Sequence, residues 1–442
     1  MERYSGAMTS LDPRGGRLEL GGLPLSALAR QVALWMQGQF KARKLAVVTP
    51  SAVEAEDFLG DLRFFWPGGR AALMPGFDRA PFMQKYSGVA AAGERMTAAR
   101  MLAGAPPFVL VTSMPAAVRK LPSAGEIESR SLTVREGGEL DFGLFAAFLA
   151  EGGYRRADQV EGPGDYSVRG GLVDVFPAGR SSPVRIEFFG DAVDSIRSFK
   201  VDDQRSTGRE ESVDLAPISQ APVSPATLEA AYLAFVGLAE AEGWLDLLWH
   251  PVASAFREGR LFGDAENWSP LFADNLAPFS EFLAGSGALP VLYEPSRLAS
   301  AGEAAWLGLK NHFARLAADE RPHLPLESLY EDPASFLAGA ARLPAGSVAV
   351  REAPLRGAPE APGSGGRFVA FDTESTGALT SLPGAIGKSV GFLEPLAGKI
   401  RSLLGRGFKT TLVLKNPEQK RRLVELLYER DLSPLAAPAA PR

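Results

Sequence analysis

The sequence predicts an α/β protein: a doubly wound parallel-sheet domain interrupted by an inserted antiparallel β-rich domain, then a linker and a small α/β domain. Three patterns carry that prediction. Leu25, Leu28, Ala29, Val32, Trp35 and Met36 recur at helical spacing and form one apolar stripe. Leu45-Ala-Val-Val-Thr49 and Phe108-Val-Leu-Val-Thr112 are short continuous apolar runs, as expected of strands buried on both faces of a parallel sheet. Between Tyr166 and Phe199 the apolar period becomes two, the mark of an antiparallel meander.

The elements follow in order. From Leu18 the chain reads as strand, helix and strand, and a helix over 90–102 leads into the Phe108 run. Strands alternating with helices make residues 1–130 the first part of the α/β domain. Residues 131–217 form the β-rich domain. It carries a helix over 140–151, apolar at Phe142, Phe145, Ala146 and Leu149, and turn signals at Pro177-Ala-Gly-Arg-Ser-Ser182 and Gly190-Asp191. A helix over 224–243, a strand at Leu289-Pro-Val-Leu-Tyr293 and a helix over 301–316 make residues 218–345 the second part of the α/β domain. The pattern permits, without requiring, that this part completes the first sheet. Residues 346–366, rich in Pro, Gly and Ser from Arg351 onward, read as a linker.

Residues 367–433 read as a compact α/β unit, with strands at Phe368-Val-Ala-Phe371 and Thr410-Thr-Leu-Val-Leu414 and a helix over 392–404. Asn416-Pro417 begins a last helix, Asn as N-cap and Pro at the first helical position. Residues 434–442 are a tail.

Bulk properties narrow the function classes. The chain has 442 residues, 46% apolar and 22% charged, enough for several small cores. Its net charge of −5 argues against a free-standing nucleic-acid binder, whose affinity rests on neutralising phosphates. With no cysteine there are no disulfides or thiolate metal sites, which suits a reducing cytoplasm. His250, His312 and His323 are scattered, whereas a zinc site needs clustered ligands. The first 16 residues lack the apolar core of a signal peptide, and no stretch approaches the roughly 18–20 apolar residues of a membrane span.

Two motifs resemble catalytic ones and lack their complements. Gly387-Lys388-Ser389 ends like a phosphate-binding loop, but Leu382 stands where the first glycine belongs and no buried strand precedes it. Asp372-Thr-Glu374 at a strand end resembles the first motif of DEDD-type exonucleases, whose paired carboxylates bridge two metal ions. Asp431 is the only later aspartate, no histidine follows, and Tyr428 precedes Asp431 in the wrong order. The expected set of catalytic, metal and cofactor residues is therefore empty.

The meander is more informative. In Val184-Arg-Ile-Glu-Phe-Phe189, alternation puts Val184, Ile186 and Phe188 on one face and Arg185, Glu187 and Phe189 on the other. Arg169 and Arg180 flank this strand in sequence. Aromatic and arginine side chains side by side are the composition of a protein–protein hot spot. Phe189 covering a neighbouring helix beside solvated arginines would look the same, and composition leaves both open.

Four blocks in order carry a resemblance: Gly153-Tyr-Arg-Arg-Ala-Asp-Gln-Val160, Gly164-Asp-Tyr-Ser-Val-Arg-Gly-Gly-Leu-Val-Asp-Val-Phe-Pro177, Arg185-Ile-Glu-Phe-Phe-Gly-Asp191 and Asp194-Ser-Ile-Arg-Ser-Phe199. They resemble the module shared by the excision-repair protein UvrB and the transcription-repair coupling factors. Pro75-Gly-Phe-Asp-Arg-Ala-Pro-Phe82 and Glu266-Asn-Trp-Ser-Pro-Leu-Phe272 are similar to regions on either side of that module. The likeness covers residues 18–345 well and 367–433 weakly. Departures from UvrB favour the coupling factors. Gly21-Gly-Leu-Pro-Leu-Ser-Ala27 lacks the phosphate-contacting lysine, and residues 82–94 leave no room for the DNA-clamping hairpin, with only Tyr86 as a remnant. A linker stands where UvrB continues into its motor.

The resemblance implies a UvrB-like fold whose β domain binds UvrA, the damage-sensing ATPase of nucleotide excision repair. Carried over by position, the partner-binding residues are Arg169, Arg185 and Phe189, with Arg197 as a neighbour. It also implies no catalysis and no cofactor in this segment, and an intramolecular contact with a C-terminal domain. RNA polymerase and DNA would be bound by domains beyond Arg442, which would also hold ATP and magnesium in a translocase motor. A bacterial cytoplasmic location follows. Direct DNA binding by a degenerate motor domain, and a nuclease around Asp372 and Glu374, are the alternative readings.

Overall fold

The computed structural model describes residues 16–83, 88–258, 265–272, 276–353, 367–371, 393–407, 410, 412 and 417–433. The strands, in chain order, begin with Arg17–Gly21 (β1), Lys44–Thr49 (β2), Ala71–Met74 (β3), Phe108–Ser113 (β4) and Leu121–Pro122 (β5). Leu132–Arg135 (β6), Arg155–Arg156 (β7), Asp165–Arg169 (β8), Leu172–Val175 (β9), Val184–Phe189 (β10), Ala192–Phe199 (β11), Ser206–Arg209 (β12) and Ser212–Leu215 (β13) follow. Leu276–Ala277 (β14), Leu289–Tyr293 (β15), Ser347–Arg351 (β16) and Arg367–Ala370 (β17) complete the set among the described residues.

Among the described residues seven strands form one sheet in the order β17-β1-β16-β15-β2-β4-β3. Every pairing in it is parallel. The apolar runs occupy its middle because a parallel sheet is covered on both faces. On one face Val47, Val291 and Val348 meet Leu28 and Val32 of helix Leu25–Gln37 and Phe58 and Leu62 of helix Ala52–Phe65. On the other, Val48, Leu110 and Leu292 meet Met96 of helix Val89–Ala103 and Phe313 of helix Pro295–Ala318. Ser51 caps helix Ala52–Phe65 by accepting from the Glu54 amide. This is the doubly wound layer that the sequence predicts, and β15 and β16 do complete the first sheet.

The β-rich domain is thus an insertion between β4 and β15. Antiparallel β6 and β13 pair at its base, Leu132 opposite Leu215, so the chain enters and leaves side by side. Its sheet has the order β12-β11-β10-β9-β8-β7, antiparallel except for the short β7–β8 pair. One face buries Val173, Val175, Val184, Ile186 and Ile196 against Phe145 and Leu149 of helix Phe142–Glu151. Asp141 caps that helix by accepting from the Leu144 amide at 2.8 Å.

The joint of the insertion is polar and buried. Arg130, just before β6, donates to the carbonyls of Ser219 at 2.8 Å, Gln220 at 2.8 Å and Ala221 at 3.0 Å. The Glu266 carboxylate accepts from the Ser219 hydroxyl at 2.7 Å and the Gln220 amide at 3.1 Å. Arg119 donates to the Glu266 carbonyl at 2.5 Å and to the Tyr330 hydroxyl at 2.9 Å. Entry and exit strands are therefore gripped from both sequence halves of the α/β domain.

Helix Val89–Ala103 presses on the insertion through Gly93. A Cβ there would lie 2.6 Å from the Ala178 Cβ and 3.0 Å from the Ile218 Cδ1. Gly93→Ala is expected to lower the unfolding midpoint, because overpacking of about 1–3 kcal/mol outweighs a helix-propensity gain of at most about 1 kcal/mol. Urea unfolding of the two proteins decides it, and a raised midpoint would mean that propensity wins.

Two segments sit differently from the sequence expectation. The expected linker, 346–366, opens with β16, whose Val348 and Val350 are fully buried between β1 and β15. Arg367–Ala370, expected to open the small α/β unit, pairs instead with β1 at the edge of the large sheet. Each is a strand of four or five residues beside a Pro- and Gly-rich stretch, so composition masks it. Helices Leu393–Gly405 and Pro417–Tyr428 share a small core of Ala397, Ile400, Leu427 and Leu432. The strand expected over 410–414 falls largely outside the described residues, as do Asn416, Tyr86 and residues 434–442. Among the described residues no helix is long and apolar enough to cross a membrane.

Candidate protein-docking site

The face of the inserted sheet opposite its core is polar, and the strand register sets its layout. Ser167 of β8 lies opposite Asp174 of β9, Asp174 opposite Arg185 of β10, Arg185 opposite Arg197 of β11, and Arg197 opposite Arg209 of β12. A second row places Arg169 opposite Leu172, Leu172 opposite Glu187, and Glu187 opposite Ser195. Three arginines abreast would repel one another, and each has its own acid. Asp174 takes Arg185, Glu187 lies 3.4 Å from Arg197 and accepts from Ser195 at 2.7 Å, and Glu136 bonds Arg209.

Asp174 is the centre of the arrangement. Its side chain is 1% exposed. One oxygen accepts from Arg185 Nε at 2.7 Å; the other accepts from Arg185 Nη2 at 2.8 Å and from Arg169 Nη2 at 2.7 Å. The Arg185 guanidinium also lies 4.9 Å over the Phe199 ring. Those hydrogen bonds hold the Arg185 pKa above even its usual value, against the effect of desolvation. Arg169 and Arg197 are 52% and 42% exposed.

Phe189 ends β10 at the rim of this face. A register irregularity between Glu187 and Phe188 precedes it, Phe188 turns to the core beside Phe142 and Phe145, and Phe189 stands 85% exposed. A shallow hollow runs between Arg169, Leu172, Glu187 and Phe189. Exposed Phe beside half-exposed Arg is an apolar anchor next to fixed donors, the pairing that recurs in interface hot spots.

The sequence-predicted residues therefore come together: Arg169, Arg185, Phe189 and Arg197 share one solvent-facing side of the sheet. Arg180 does not join them and pairs with Glu210 at 2.6 Å. Asp174 was missed, although an acid at the polar phase of Leu172-Val-Asp-Val175 is the signal that marks it. The blocks at 75–82 and 266–272 are packing features. The Phe82 and Trp268 rings lie 4.8 Å apart in the core, and Phe77 stacks under Arg119.

The other candidate chemistry is placed in part. After β1, the Gly22 and Leu23 amides donate to the carbonyls of Ala353 and Arg351, each at 3.1 Å. Those are the groups with which a phosphate-binding loop would hold a nucleotide. Asp372, Glu374 and Gly387-Lys388-Ser389 lie outside the described residues. Among the described residues no group of three or more His, Asp or Glu is placed to hold a metal ion.

Residues 132–220 match the family model of the UvrB interaction domain, a span that takes in the whole polar face and both base strands. The chain is 36% identical over 217 residues to the transcription-repair-coupling factor of Mycobacterium bovis, covering 47% of this chain and 16% of that protein. It is 31% identical over 327 residues to that of Myxococcus xanthus, covering 71% and 27%. To that of Escherichia coli it is 29% identical over 225 residues, covering 50% and 19%. Fold and match together define a protein that carries a UvrB interaction domain in an α/β frame. The chain is a homologue of the transcription-repair-coupling factors, and its matched regions span about a quarter or less of their length.

Proposed function

We propose that this chain is a docking module that recruits UvrA by presenting the polar face of its inserted sheet, and that it carries out no catalysis itself. The observation behind the reading is the side-by-side placement of Arg169, Arg185, Arg197 and exposed Phe189 on one face of a domain of the UvrB interaction family. On this reading the longer protein couples that module to an ATP-driven motor on DNA, and brings repair to stalled RNA polymerase. Within it a C-terminal domain covers the same face until the motor engages. The turn after β1 is left without a nucleotide, since its amides serve backbone carbonyls.

Calorimetric titration of the 442-residue chain into UvrA tests this. Binding at micromolar affinity or tighter is expected, with loss of detectable heat for the variant carrying Arg185→Ala and Phe189→Ala. Unchanged affinity in that variant, with its circular dichroism intact, would sink the assignment of the face. Salt-dependent binding to DNA with none to UvrA would point to the degenerate-motor reading instead.

A further inference from the structure

We infer that Asp174 is a positioning residue of this docking face: it locks Arg169 and Arg185 into one platform whose unused guanidinium edges meet a carboxylate-bearing surface of the partner. The inference rests on the UvrA-docking reading and adds a residue that touches no partner.

Geometry carries it. A single buried carboxylate accepts three hydrogen bonds from two arginines on two strands. Arg185 uses its Nε and Nη2 edge, the side-on fork that fixes both position and plane. Its Nη1 has no partner among the described residues, nor do Nε and Nη1 of Arg169. A long arginine side chain on a strand otherwise samples many rotamers, and fixing it on binding opposes association. Asp174 meets that cost during folding, since its buried carboxylate bonds both guanidiniums and that of Arg185 also lies over the Phe199 ring. One carboxylate shared by two guanidiniums leaves positive charge on the platform, so a partner acid gains a charge-assisted bond. The hollow beside Phe189 gives that acid an apolar neighbour.

The test compares UvrA titrations of the wild type, Asp174→Asn, the double variant with Arg169→Ala and Arg185→Ala, and all three changes together. Asp174→Asn keeps the shape and removes the second acceptor, and is expected to weaken binding about ten-fold or more. In the double variant, Asp174→Asn should change affinity by less than about two-fold, because the groups through which it acts are already gone. A merely structural role would weaken both backgrounds equally, and that result overturns the inference. So does wild-type-like binding by Asp174→Asn. Absence of binding by the wild type overturns the docking reading itself, and the inference falls with it. If Asp174→Asn does not fold, arginine-labelled NMR of the wild type decides. A slowly exchanging Arg185 Nε–H that persists in the UvrA complex supports the platform, and a freely exchanging one rejects it.

Discussion

Glu266→Ala is expected to destabilise the folded chain by about 2–6 kcal/mol, since two buried donors lose their acceptor at about 1–3 kcal/mol each. Glu266 is 3% exposed, and its loss strands the Ser219 hydroxyl and the Gln220 amide at the exit from the inserted domain. Gln220 already has both side-chain polar atoms buried without a partner, so the joint has little slack. Burial pushes the Glu266 carboxyl above its ordinary value of 4.5, although the Ser219 hydroxyl, Arg119, the Gln220 amide and Arg130 all act to lower it. With a raised value in the fold, the folded state holds the proton more readily than the unfolded chain. The group's contribution is then fully present below 4.5 and is lost as pH rises through the folded value. Glu266→Gln keeps an acceptor without the charge, so it should cost far less than Glu266→Ala and flatten stability over that window. Urea midpoints of the three proteins across that pH range measure this. Equal damage from the Gln and Ala variants would show that the charge itself holds the joint.

The second large effect separates two phenylalanines on opposite sides of one sheet. Phe145→Ala should cost about 3–5 kcal/mol of stability, as a large aromatic leaves a well-packed core. Phe145 is fully buried and its ring lies 5.7 Å from Phe188 and 6.4 Å from Phe148. Phe189→Ala should shift stability by no more than about 0.5 kcal/mol, as surface changes do. On the docking reading it weakens UvrA binding by about 2 kcal/mol or more, roughly thirty-fold. Thermal melts and calorimetry on the same two variants give the crossed pattern. A destabilised Phe189→Ala would mean that the ring covers part of the fold, the alternative that composition leaves open.

Much of the site was legible because β-strand geometry is local. A period of two puts Arg185, Glu187 and Phe189 together without knowledge of the neighbours. Continuous apolar runs declare doubly covered strands for the same reason. Helix caps are local in the same way: Ser51 and Asp141 each accept from the backbone amide three residues on, that of Glu54 and of Leu144.

What sequence alone could not show depends on register and long-range closure. Nothing local says that Arg169 and Arg185, sixteen positions apart, share the carboxylate of Asp174; the β8–β9–β10 register brings them together. Nor can composition reveal that Ser347–Arg351 lies between β1 and β15, since its partners are more than fifty residues away. Glu266 reads as one acid among 52, and only the folded chain buries it against Ser219 and Gln220. Side-chain periodicity follows from the geometry of a few consecutive peptides. Hydrogen-bond partnership and burial follow from where distant segments meet, and only the tertiary fold settles that.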